Sequence, residues 1–277
     1  MVKKNYVLGR GRIKMANLDP ATKEPGAYRY VGASRELNIT LETESLEHTS
    51  SDAGVNEVDA QVQLSQTRSG TLILEEINPE NLSLFLFGSV SDASQAAAGS
   101  QTDIINGARL SQILKEGYSA DHEIIVGATA AKPEGARKIT APTLAGKNSA
   151  NPAAAVTLAK GTDWDVVNLE TGAIRLLKTA KTFDATGNAV LTEITVSYGQ
   201  AALSNVKKVI SGSTSIEVAI RYEENNPEGD NGLWIMPQVS ITPSGEMSLK
   251  AEEWRQIPLS ISVNKPANSD AILYFET

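Results

Sequence analysis

Apolar and polar residues alternate with period two along much of this chain, the pattern of strands with one buried face. Leu37, Ile39 and Leu41 alternate with Glu36, Asn38, Thr40 and Glu42. Val58, Ala60, Val62 and Leu64 alternate in the same way with Asp59, Gln61, Gln63 and Ser65. Between these two predicted strands, Ser45 to Glu57 is polar and holds Gly54, so it reads as an extended hairpin loop. A third strand is expected at Thr71 to Glu75, after Gly70. A helix follows. Asn78 suits the N-cap, Pro79 the first helical position, and Glu80 the positive end of the dipole. Ile77 and Leu82 are spaced for a hydrophobic staple, and the helix should carry Leu82 to Phe87 and stop at Gly88.

Further strands are expected at Gly11 to Met15, Tyr28 to Val31, Glu123 to Gly127, Val190 to Tyr198 and Thr214 to Tyr222. Trp164 to Leu177 reads as a hairpin with its turn at Glu170-Thr-Gly172. Leu233 to Ile241, Ile257 to Val263 and Ala271 to Phe275 complete the set, with one helical turn at Ala251 to Trp254. Residues 89–108 are rich in Ser, Ala and Gly and read as a linker. Residues 128–161 are again low in complexity. Many short strands with Gly/Pro turns predict a mainly β fold, a β-sandwich or partial barrel with a flanking α-helix and a β-rich insertion or second subdomain. Residues 1–120 and 206–277 are expected to form the body, and 121–205 an inserted or appended subdomain.

Charge changes this picture by its distribution. Residues 1–35 hold eight Lys/Arg against Asp19 and Glu24, whereas residues 36–108 hold twelve acidic residues against Arg68 alone. The split is therefore +6, −11 and −3, which sums to the net −8 of the chain. A strand face this acidic suggests a surface that repels a polyanion, stays wet, or meets a basic segment of a neighbouring copy. There are no cysteines, which excludes disulfide scaffolds and thiol nucleophiles and fits synthesis in a reducing cytosol. Neither a signal peptide nor an apolar run of membrane-spanning length is visible. Asn38-Ile-Thr and Asn81-Leu-Ser match the glycosylation pattern by chance, since both fall in predicted regular elements.

Glu36-Leu-Asn-Ile-Thr-Leu-Glu-Thr-Glu, Glu47-His-Thr-Ser-Ser-Asp, Thr71-Leu-Ile-Leu, and Asn78-Pro-Glu-Asn-Leu with its apolar helix resemble the major tail tube proteins of long-tailed (siphovirus-type) bacteriophages. The resemblance covers residues 8–90 best, and recurs more loosely in Gly161-Thr-Asp-Trp-Asp-Val-Val-Asn-Leu-Glu-Thr-Gly and the C-terminal strands. It implies a β-sandwich with a flanking helix, assembling into stacked, usually hexameric rings. The hollow tube would carry DNA in the virion after synthesis in the host cytoplasm. Implied partners are copies of the chain itself, a tape-measure protein, tail-terminator or tip proteins, and double-stranded DNA in transit without specific binding. Neither cofactor nor membrane insertion is implied. Glu36, Glu42, Glu44 and Asp59 would face the channel, because a phosphate backbone slides past like charge without sticking. Leu37, Ile39, Leu41, Val58, Val62 and Leu64 would then face the helix and second sheet. Leu46, Glu47, His48, Asp52 and Val55 would form a loop bridging subunits or rings. Lys3, Lys4, Arg10, Arg12 and Lys14 would form a basic N-terminal arm, either docking on an acidic face or solvated.

No enzyme motif is legible. The histidines are His48 and His122, neither with a second histidine four residues on, so neither a metal site nor a catalytic role is expected. There is no Gly-x-Ser-x-Gly elbow. The acidic groups at Asp163-Trp-Asp165 with Glu170, and at Glu223, Glu224, Glu228 and Asp230, lack the calcium-loop spacing and read as solvated turns. Two alternatives stay open: the tube of a phage-tail-related bacteriocin or secretion system, and a β-sandwich carbohydrate-binding or adhesin module.

Overall fold

A computed structural model of the 277-residue chain describes residues 6–50, 54, 57–116, 123–148, 151–177, 190–212 and 215–276. The chain opens with β1 (Gly11–Asn17), β2 (Arg29–Tyr30), β3 (Ser34–Ser50) and β4 (Glu57–Leu74), followed by helix α1 (Pro79–Phe85) and β5 (Gly88–Asp92). Next come β6 (Ala98–Asn106), α2 (Gly107–Glu116), β7 (Ile124–Ile125), β8 (Ile139–Asn148) and β9 (Asn151–Leu158). The elements β10 (Trp164–Asn168), β11 (Ala173–Leu176), β12 (Leu191–Gln200) and β13 (Lys207–Ser211) follow. The chain ends with β14 (Ile216–Glu224), β15 (Gly232–Pro243), β16 (Ile257–Val263) and β17 (Leu273–Glu276). The fold is mainly β, with several sheets and, among the described residues, no barrel closure. The helical turn expected at Ala251 to Trp254 is replaced by a bend. It divides into one unit of Met1–Ser91 with Lys207–Thr277 and a second of Asp92–Val206. Residues 92–120, expected with the body, fall in the second unit.

In the first unit the strands run β2-β1-β14-β15-β16-β4-β3, with β17 paired to β15 off that path. Every pairing along it is antiparallel. The alternation in β1 has a direct reading. Ile13 and Met15 are 2% exposed, while Lys14 reaches across to Glu223 at 2.7 Å and Arg12 lies 6.0 Å from the Tyr30 ring centre. Arg12 and Lys14 therefore belong to a strand held on both edges, not to a free basic arm. Arg10 lies just before it, its carbonyl accepting from the Asn225 N–H at 2.6 Å. Lys3 and Lys4 lie outside the described residues. The core gathers Leu72, Leu74, Val218, Ile220, Met236, Val239, Ile241, Ile257 and Leu259 from the central strands.

The expected separation of Val58–Ser65 from Thr71–Glu75 is absent; β4 is one strand through Gly70. A side chain at Gly70 would stand 2.0 Å from the Asn38 carbonyl oxygen, so glycine here serves a close strand approach and not a break.

Helix α1 starts as expected. The Asn78 side chain accepts the Asn81 N–H at 2.7 Å. It ends two residues early, at Phe85, with Phe87 in the left-handed region at φ 46° and Gly88 already in β5 beside Ile210. Ser211 Oγ donates to the Leu86 carbonyl at 2.7 Å and takes up one of the terminal acceptors. Asn81 is wholly buried. Its Nδ2 donates to the carbonyls of Val31 at 2.7 Å and Glu76 at 2.9 Å, and its Oδ1 accepts from Arg29 Nη1 at 2.7 Å. One amide thus ties the helix to the β2–β3 connection and to its own lead-in.

In the second unit the strands form a four-stranded sheet, β6-β12-β8-β9, and a three-stranded one, β10-β11-β7. Two segments read as unstructured are strands. Residues 98–106, within the expected linker, pair with β12, burying Ile105 fully while leaving Ile104 54% exposed. Residues 139–148 and 151–158 pair as β8 and β9. Small residues are poor strand formers alone, and here the partner strand decides. Helix α2, not anticipated, buries Leu110. The turn at Gly172 is as expected: φ is +71°, and a side chain there would meet the Ala136 carbonyl oxygen at 2.0 Å. The Asp163 carboxylate, read as solvated, is 1% exposed and accepts the Ala159 N–H at 2.7 Å. The adjacent Trp164 donates Nε1–H to the Leu158 carbonyl at 3.1 Å.

Asn81→Ala should destabilise the chain by about 2–4 kcal/mol, since it leaves two carbonyls and a half-buried guanidinium without their partner. Urea unfolding followed by circular dichroism checks this; an unchanged midpoint would contradict it.

Glu217 and Glu223 are held below the usual carboxylate range chiefly by hydrogen bonds from Lys23 and Lys14. A folded-state pKa below the unfolded one stabilises fully above the unfolded value and is lost as pH falls through the folded value. The urea midpoint should therefore drop between about pH 5 and pH 3. Lys14→Met with Lys23→Met should flatten that drop, and an identical pH profile for the double variant would refute the assignment.

Candidate assembly surface

The surface that folding of one copy leaves unfinished is built by β3 and β4. They pair from Ser34↔Leu74 out to Ser50↔Glu57, with three register shifts on the way. On its other edge, β4 pairs with β16 only from Leu74 to Ser69. Beyond Ser69 both edges of the β3–β4 ribbon are without a strand partner among the described residues. Twelve residues of β4, from Arg68 to Glu57, run on past this point, roughly 40 Å at about 3.4 Å per residue. A two-stranded ribbon in water is marginal by itself, and an exposed edge strand is a template for another chain.

This arm replaces the expected loop. Residues 45–50 continue β3, and Glu57 already begins β4. Polar residues on both faces read as loop, yet a strand with water on both faces has the same composition. Cross-strand side-chain bonds support it. Gln61 Nε2 donates to Ser45 Oγ at 2.9 Å and Glu47 Oε1 at 3.3 Å, Ser65 Oγ donates to Glu44 Oε2 at 3.2 Å, and His48 Nδ1 lies 2.6 Å from Asp59 Oδ1. Asp52 and Val55 lie outside the described residues.

The register shows which predicted residues share a face. Leu37 pairs with Leu72 and Ile39 with Gly70, on the side packed against the core. Glu36, Glu42 and Glu44 lie on the opposite side of β3, opposed to Ile73, Thr67 and Ser65. On β4 the register slips at Leu64, because Glu44 opposes Ser65 while Ser45 opposes Gln63. The slip brings Val62 opposite Leu46, on the glutamate side. A second slip makes Asp59 the extra residue, bonded to His48. Glu36, Glu42 and Glu44 therefore share one face, and Asp59 is drawn towards it through His48.

The expected burial of the apolar set fails beyond Ile39. Leu41, Val58, Val62 and Leu64 are 55–60% exposed, and Leu46 is 63% exposed. The core cluster that takes up Leu37 and Ile39 does not include these residues, so their side chains stay open to water. Sequence alternation predicted a face for these residues but could not show that nothing covers it.

Among the described residues no three His, Asp or Glu side chains gather as metal ligands, and no helix is long and apolar enough to cross a membrane. Residues 6–111, the stretch that includes β1 to β4 and both flanks of the arm, match the model of a family described as a protein of unknown function, UCP028589. No curated protein matches the chain.

Leu46→Ser combined with Val62→Ser removes the apolar cross-strand pair at a site that buries little in the single copy. Thermal unfolding should shift by no more than about 0.5 kcal/mol, as for exposed positions away from special features. Self-association measured by sedimentation should weaken markedly, and equal association of both proteins would show that this pair meets no partner.

Proposed function

We propose that this chain is a structural subunit of a bacteriophage tail tube, assembling with copies of itself into stacked rings around a channel that passes DNA. The observation that carries this reading is the β3–β4 arm. It extends well beyond the sheet, leaves both edges unpaired, and exposes Leu41, Leu46, Val58, Val62 and Leu64. A soluble domain that acts alone has no physical use for such an arm. A subunit whose sheet continues into its neighbours does.

The charge distribution supports the channel. Glu36, Glu42 and Glu44 share the side of β3 turned away from the core, and the sequence carries no Lys or Arg between Glu42 and Thr67. Acidic walls keep a phosphate backbone from binding, whereas lysines would hold it by releasing counterions. Six copies per ring is the number implied by the resemblance to tail tube proteins. A tail-derived bacteriocin or secretion tube would use the same subunit design.

Negative-stain microscopy of the purified chain at high concentration should show rings or tubes with a central hole. The triple variant Glu36→Lys, Glu42→Lys and Glu44→Lys should fold and assemble, since exposed charges carry little stability. Its tubes should retain double-stranded DNA at low salt and release it as salt rises, while wild-type tubes retain none. A chain that stays monomeric, or lysine tubes that ignore DNA, would each overturn this reading in the corresponding part.

A further inference from the structure

The chain contains two Asn-Gly steps, Asn106-Gly107 and Asn231-Gly232, and the fold treats them in opposite ways. The step matters chemically. A backbone nitrogen that follows asparagine can attack the side-chain amide carbon. Glycine, with no side chain, leaves that nitrogen least hindered and the peptide freest to turn. Whether the attack happens in a folded chain then depends on how easily the local structure opens.

Asn231-Gly232 is locked. Asn231 Oδ1 accepts the Asn226 N–H at 2.8 Å. Asn226 in turn donates from Nδ2 to Glu224 Oε2 and to the Asp230 carbonyl, both at 3.1 Å, and its Oδ1 accepts the Arg10 N–H at 2.9 Å. Gly232 is buried at the start of β15 and pairs with Glu276. It lies so close to the Tyr274 ring that a side-chain carbon there would stand 2.3 Å from it. Turning this peptide would break the bonds of the loop and the start of β15 together.

Asn106-Gly107 is open. Asn106 is the exposed last residue of β6, an outer strand of its sheet, and its pairing with Glu193 ends the β6–β12 ladder. Its side chain is hydrogen-bonded to no described residue. Gly107 begins α2 with φ +53°, a conformation that costs glycine little, and nothing stands within 4 Å of where a side chain would be. Fraying of one terminal ladder pair frees this step, and strand ends open far more readily than bonded interiors.

We propose that Asn106 is a site of spontaneous deamidation in the folded chain and that Asn231 is not. The Gly107 nitrogen gives up its proton to water or hydroxide and bonds to Asn106 Cγ, and the Cγ–Nδ2 bond breaks to release ammonia. Water then opens the resulting succinimide at either carbonyl, leaving aspartate or isoaspartate. The net change converts an amide and a water into a carboxylate and an ammonium ion. The new carboxylate stands opposite Glu193 across the ladder, an unfavourable like-charge pair, yet at the positive end of α2, whose first turn has no acidic residue. The isoaspartyl product also lengthens the main chain by a methylene where β6 turns into α2. The second unit thus carries a time-dependent change of charge and backbone at one position, independent of the assembly proposed above.

The test keeps the full chain folded in mildly alkaline buffer and, in parallel, unfolded in guanidinium chloride. Peptides spanning both steps are followed over time by mass spectrometry, and isoaspartate is detected by its methylation with an isoaspartyl methyltransferase. In the unfolded chain both asparagines should convert at similar rates. In the folded chain Asn106 should convert faster than Asn231 by about tenfold or more, the difference between a fraying end and a bonded loop. Asn106→Gln, whose longer side chain closes the ring poorly, should abolish the fast conversion with unchanged circular dichroism. Equal rates at the two steps in the folded chain would overturn the proposal, as would an Asn106 that stays intact while the unfolded chain converts. Fast conversion that survives in Asn106→Gln would place the reaction on another residue and overturn the assignment.

Discussion

Strand β15 is shared by two neighbours, and the change of neighbour along it shapes the rest of the first unit. Its C-terminal half pairs with β16, from Pro243↔Leu259 to Val239↔Val263. At Asn264 the chain leaves, its N–H bonded to the Gln238 carbonyl at 2.9 Å and its Nδ2 to Ser240 Oγ at 2.8 Å. From Ile235 to Gly232 the partner is β17. Because β16 stops there, β4 loses its neighbour beyond Ser69 and β3–β4 continues as an arm. Backbone groups in the arm are satisfied on one edge of each strand only, and water must serve the other edge until another chain does. A β16 longer by several residues would have covered that edge and left no arm.

How much of this was legible in sequence depends on where the deciding contact lies. The helix cap at Asn78 is local, and it stands as read. So do the strand pattern of β1, β14 and β16 and the turn at Gly172, where neighbouring residues in sequence supply the physics. The arm was half legible. Its alternation was visible, but its continuation through Ser45–Ser50 and through Gly70 depended on a partner strand far along the chain. The bulges at Leu64 and Asp59 were invisible, since a single extra residue leaves the local composition unchanged while reversing the side on which the next side chains stand. Asn81 matched a glycosylation pattern and is instead a buried amide with three partners, a role set by Val31 and Arg29 across the fold. The strands β6, β8 and β9 were missed because Ala, Gly and Ser have little strand preference of their own and pair through β12.

Charge and apolar surface are combined on the arm in a way that neither would explain alone. An acidic ribbon without apolar residues would be a solvated hairpin, repelled by its copies. An apolar ribbon without charge would aggregate through its free edges. Here Leu46 and Val62 sit on the same side as Glu42 and Glu44, so attraction at short range is paired with repulsion at longer range. Such a surface sticks only where a partner offers a matching apolar patch and tolerates the acids. That selects one arrangement over indiscriminate edge pairing, which is the role charged residues take on exposed strands.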